Sequence, residues 1–202
     1  MTFIKTIAPE SAEGRLAKLY DRVRGPDGQV DNILAAHSLR PASLDGHMAL
    51  YKNVLHHSAN QVPKWFLETI GVLVSLRNNC AYCVEHHFAG LERLLDDGAM
   101  AAAIREGLEA GELRDESTLG AKGLAALRYA EKLTLRPAGI VEADVNDLRK
   151  AGWDDGEILE INQVTAYFAY ANRTVLGLGV SMDGDVLGLS PNSDEEGDWG
   201  HK

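Results

Sequence analysis

Apolar side chains at Leu16, Leu19, Tyr20 and Val23 recur at spacings of three and four residues behind Ser11-Ala12-Glu13-Gly14, which predicts a helix with one buried face. Gly25-Pro26-Asp27-Gly28 stops it. A second pattern through Ile33, Leu34, Leu39 and Leu44 is interrupted at Pro41 and resumes at Met48, Leu50, Tyr51, Val54 and Leu55, predicting two helices. Pro63 opens the next helix at its first turn, where its missing amide proton costs least, and residues 65–76 supply the body. Asn78-Asn79 breaks the chain. From Cys80 a stripe of Val84, Phe88, Leu91, Leu94 and Leu95 runs to Asp97-Gly98, with the glycine as terminator of a central helical hairpin. Four more helices are expected at 99–108, 119–134, 140–151 and 155–178, the last capped by Asp154 or Asp155 ahead of Glu157. The expectation is an all-α compact helical bundle without an internal repeat.

Length and composition sharpen this picture. The chain has 202 residues, enough for one substantial core. Residues 1–189 read as one helical domain, and 190–202, acidic and poor in apolar residues apart from Trp199, as a tail. A net charge of -10 repels polyanions and argues against nucleic-acid and anionic-membrane partners. The longest apolar runs, such as 70–76, are far too short to span a bilayer, and the first ten residues show no secretory signal, which leaves a cytoplasmic location as the expectation.

The chemistry concentrates in one segment. The only two cysteines, Cys80 and Cys83, are too close in sequence to staple a fold, so they read as a redox pair or a metal site. Cys80, Cys83 and His87 fall on one helix face. A place in the first helical turn would favour the Cys80 thiolate, whereas proximity to His87 favours Cys83, so the attacking thiol stays open. Folding the chain back about Asn78 sets Glu68 beside His87, a base and its orienting carboxylate next to a dithiol.

The spacing Glu68-x11-Cys80-x2-Cys83-x3-His87 resembles the alkylhydroperoxidase D-like family of the carboxymuconolactone decarboxylase superfamily. The likeness extends through Leu73-Val74-Ser75, Asn79-Cys80-Ala81-Tyr82-Cys83, Ala166-Tyr167-Phe168 and Ala171-Asn172-Arg173 to Gly177-Leu178-Gly179, in the manner of its peroxidase-related branch. The resemblance implies an alkylhydroperoxidase D-like bundle that reduces a hydroperoxide through the Cys80/Cys83 couple, with Glu68 and His87 as proton relay and an external dithiol or thiol as reductant. It implies no cofactor and no metal, and a homo-oligomer is expected from leftover helix faces. Some members carry a second histidine between the cysteines where this chain has Tyr82, a possible auxiliary hydrogen-bond donor but a poor base.

Other readings compete. The same Cys/His cluster could serve a noncatalytic metal-binding or redox-sensing protein, and lactone decarboxylation, also found in the superfamily, does not need the cysteine pair. His86 points about 100° from His87 along the helix and reads as a surface or interface residue. His56-His57 reads as a solvated or packed helix end, and His37, His47 and His201 stand alone. Trp65, Phe66, Ile70 and Leu73 are candidates for an apolar mouth around Glu68; Trp153, Tyr167, Phe168 and Tyr170 read as core or subunit contacts that shape the pocket wall.

Overall fold

In the computed structural model, residues 2–25, 28–111 and 116–188 are described, without the side chains of 116 and 117. The expected tail 190–202, with Trp199 and His201, lies outside them, as do Pro26 and Asp27 of the first stop signal. The described chain is all-helical: α1 (Gly14–Val23), α2 (Asn32–Ala35), α3 (Pro41–Tyr51), α4 (Lys64–Arg77), α5 (Ala81–Leu95), α6 (Gly98–Ala110), α7 (Glu116–Leu135), α8 (Glu142–Lys150) and α9 (Asp155–Leu178). None of these helices is long and apolar enough to cross a membrane.

Helix α4 is the axis of the bundle. Residues 66–75 of it are all buried, since α5, α7 and α9 each pack against it. A helix surrounded in this way is apolar all round, with Leu67, Ile70, Val72, Leu73 and Val74 at its centre. Gly71 permits the contact with α9: a Cβ there would collide with the ring of Phe168. The two helices therefore meet closely only because that position carries no side chain. Pro63 sits one position earlier than expected, as the residue before the first helical turn, where its carbonyl accepts from the amides of Phe66 and Leu67.

Several ends differ from the sequence reading. The turn between α4 and α5 is made by Asn79 in the left-handed region, φ 55°, a conformation asparagine tolerates better than most residues. Cys80 is then the N-cap of α5 and not part of its first turn. At the far end, Asp96, φ 49°, is the left-handed terminator, while Gly98 begins α6 and Asp97 caps it by accepting from the amide of Met100. The expected glycine stop is thus a helix start, because Asp96 reverses the chain and Asp97 caps the next helix. Lys52–His56 continues α3 as a π-helical turn. Helix α9 begins as read, with a reciprocal capping box between Asp154 and Glu157.

Candidate active site

The tight turn at Asn78-Asn79 returns α5 antiparallel along α4, and this brings residues of both helices to one recess. Glu68, on the buried axis, is 1 % exposed. A carboxylate so deep needs a partner, and His87 of α5 supplies it at 2.6 Å between Nδ1 and Oε2. The edge of the His87 ring is held by Phe168 of α9, with centroids 4.5 Å apart and planes nearly perpendicular. Carboxylate and aromatic ring therefore fix the imidazole from two sides.

Cys80 and Cys83 are both reduced and both buried. Their environments differ. Cys83, with Glu68 and His87, lines the recess; Cys80 does not. The acidity of Cys80 is increased chiefly by a hydrogen bond from Cys83, against the opposing effect of burial, while donating that bond and burial push the Cys83 thiol up. As N-cap, Cys80 also faces the first-turn amide of Cys83, which lowers its pKa further. The more acidic thiol is the one that does not line the recess, and the thiol that faces the recess is its hydrogen-bond donor.

Asn172 of α9 is a site residue whose role sequence reasoning missed. Its fully buried amide donates to Ser75 Oγ at 3.0 Å and accepts from Asn78 Nδ2 at 2.9 Å. So held, it lies within hydrogen-bonding reach of both thiols and favours their charged forms. The available signal was an amide set into the apolar stripe of Phe168, Ala171 and Val175.

Two connected groups of side chains complete the recess. In one, rings run from His87 through Tyr51 (6.4 Å) and Tyr167 (5.8 Å) to His47 (5.9 Å). His47 does not stand alone: it also stacks near His37 at 4.9 Å, and burial, with the nearby His37 and His87, lowers its pKa to about 3. In the other group, Tyr82 stacks on His86 at 4.3 Å and donates to Asp185 Oδ2 at 2.5 Å. Tyr82 thus serves the segment after α9 and not the thiols, and burial raises its pKa. His86 is no surface residue: its side chain is 12 % exposed, lines the recess and has Nε2 3.4 Å from Asp185 Oδ2.

The residues expected to form an apolar mouth do not border the recess. Phe66 stacks on Trp153, while Ile70 and Leu73 are core; none of these or Trp65 lines the recess. The period of α4 placed them around Glu68 in sequence, but α7 and α9 cover that side. His56 packs on Tyr51 at 4.8 Å, whereas His57 is exposed. Among the described residues no three His, Cys, Asp or Glu side chains are arranged as a metal-ligand set.

Neither a protein-family model nor a curated protein sequence matches the chain significantly. Solved structures do. An alkylhydroperoxidase AhpD core, an uncharacterized peroxidase-related protein from Ralstonia eutropha JMP134, superposes with a TM-score of 0.77 at 22 % identity, over 89 % of this chain and 91 % of that one. An uncharacterized peroxidase-related protein from Silicibacter sp. TM1040 gives 0.71 at 26 %, over 89 % and 87 %. The debrominase Bmp8, solved as a cysteine-to-alanine variant with 2,3,4-tribromopyrrole, gives 0.72 at 16 %, over 91 % and 95 %. With these neighbours and an all-helical bundle, the fold of this chain is that of the alkylhydroperoxidase D-like proteins.

Proposed function

We propose that the protein is a thiol-dependent peroxidase that reduces hydroperoxides through a Cys80/Cys83 dithiol–disulfide cycle. The observation that carries this reading is the His87–Glu68 pair at 2.6 Å in one recess with Cys83, whose thiol is paired with the free thiol of Cys80. The fold also hosts a debrominase, so fold alone does not choose the reaction. The reading rests on the dithiol and its relay.

Cys83 is the attacking sulfur, because it lines the recess and Cys80 does not. Glu68 occupies Nδ1 of His87 and leaves Nε2 to take a thiol proton. The thiolate attacks the terminal oxygen of the hydroperoxide; an S–O bond forms, the O–O bond breaks, and the alcohol leaves after gaining a proton. Cys80 then attacks the Cys83 sulfenic acid, forming the disulfide and releasing water, and an external dithiol or thiol restores both sulfurs. Asn172 holds the negative charge on whichever sulfur bears it.

The test is dithiothreitol-supported consumption of cumene hydroperoxide. Wild type turns over, Cys80→Ser and Cys83→Ser do not, and Glu68→Gln and His87→Ala slow by about 10²-fold or more, the usual scale of lost acid–base assistance. Cys80→Ser still undergoes one oxidation, trapped by dimedone on Cys83. An inert wild type, or turnover that survives Cys83→Ser, would sink the reading.

A further inference from the structure

Helix α5 carries two adjacent histidines, and each meets a carboxylate from a different part of the chain. His87 meets Glu68 of α4; His86 meets Asp185, which belongs to the irregular segment after α9. That segment is tied down at several points. Asn32 donates from its side chain to the carbonyls of Ser181 and Asp183, and its amide donates to the Asp185 carboxylate at 3.0 and 3.1 Å. Tyr82 donates to the same carboxylate, and Arg93 donates to the carbonyl of Gly188. Gly188, φ 71°, lies so close to α5 that a Cβ there would be 2.9 Å from that of Ala89. Asp185 is therefore a placed carboxylate, its side chain 3 % exposed.

The proposed reaction needs two proton movements at opposite ends of the peroxide, one away from the thiol and one onto the departing alcohol. A single histidine beside the thiol covers the first. An alkoxide is a poor leaving group, so the second needs an acid of its own. We infer that His86, positioned by Asp185, is that acid: a second histidine–carboxylate pair that protonates the leaving oxygen while His87–Glu68 serves the thiol. This rests on the peroxidase reading and deepens it.

The geometry supports the division of labour. His86 and Cys83 are three residues apart on α5 and, with His87, line the same recess, so both imidazoles and the thiol border the space a peroxide would occupy. The groups facing His86 are Tyr82 beneath its ring, Asp185 from the closing segment, Asp31 ahead of α2, and His87 next to it on the helix. In the step itself the Cys83 sulfur is oxidised to the sulfenic acid, the electron pair of the O–O bond leaves on the alcohol oxygen, and His86 gives up one proton to it. His86 recovers a proton from solvent before the next turnover.

A peracid separates this role from a structural one, because its carboxylate leaving group needs no proton. Stopped-flow oxidation of pre-reduced protein by cumene hydroperoxide and by peracetic acid is compared for wild type, His86→Gln and Asp185→Asn. The rate ratio of cumene hydroperoxide to peracetic acid falls on the order of 10²-fold in His86→Gln, within the range expected for a lost general acid, and less in Asp185→Asn. Equal losses on both oxidants, or an unchanged ratio in both variants, overturn the assignment. A wild type inert to both oxidants overturns the peroxidase reading itself, a different outcome.

Discussion

Cys80 and Cys83 share a helix end but not an environment, and the same is true of the histidines nearby. His87 has a carboxylate on Nδ1, His86 lies under another, and His47 has Nδ1 buried with no partner. Burial holds the folded-state pKa of His47 to about 3, against an ordinary value of 6.5. As the pH falls below 6.5 the unfolded chain takes up a proton that the folded chain refuses. The stabilisation is complete above 6.5 and is lost progressively down to about 3. One such group contributes a slope of about 1.4 kcal/mol per pH unit. His47→Phe should flatten the fall of unfolding free energy between pH 6 and 4, measured by urea titration at about half-unit steps. An unchanged slope would mean that another group sets the acid limb.

At the scale of elements, the site depends on how closely α9 approaches α4. Gly71 lets the Phe168 ring fill the space beside it, and Phe168 in turn packs on His87. Gly71→Ala puts a methyl into that ring, and Phe168 cannot move without displacing the imidazole. Overpacking of this kind costs about 1–3 kcal/mol. The expected result is a lower thermal midpoint together with a slower peroxide reaction, whereas Gly107→Ala, in the interior of α6 with open space around it, should raise the midpoint slightly and leave the rate unchanged. A Gly71→Ala protein with wild-type stability and rate would show that Phe168 does not hold His87. The hairpin of α4 and α5 was legible because its turn residues and both apolar stripes lie within one short stretch. The register of α9 against α4 was not, because it is decided by a missing side chain on one helix and a ring about a hundred residues away.

At the scale of the whole molecule, charge and recess act in the same direction. The net charge is -10, and Asp31 and Glu68 line the recess with no lysine or arginine among its described lining residues. An anionic peroxide therefore meets repulsion from both the surface and the site. Cumene hydroperoxide should react faster than its para-carboxylate, and the deficit should shrink as ionic strength rises, because exposed charges are screened. Equal rates at low salt would remove charge as a selector. The all-α class and the Glu68, Cys80, Cys83 and His87 cluster were determined by sequence alone. Helical periodicity sets which residues share a face, and a short turn sets which residues of neighbouring helices meet. The tertiary structure decided which thiol faces the recess, that Asn172 reaches both, that Tyr82 and His86 contact the segment around Asp185, and that Trp65, Phe66, Ile70 and Leu73 do not line the recess. Those facts depend on contacts between residues far apart in the chain, and local periodicity carries no information about which distant surface covers a given face.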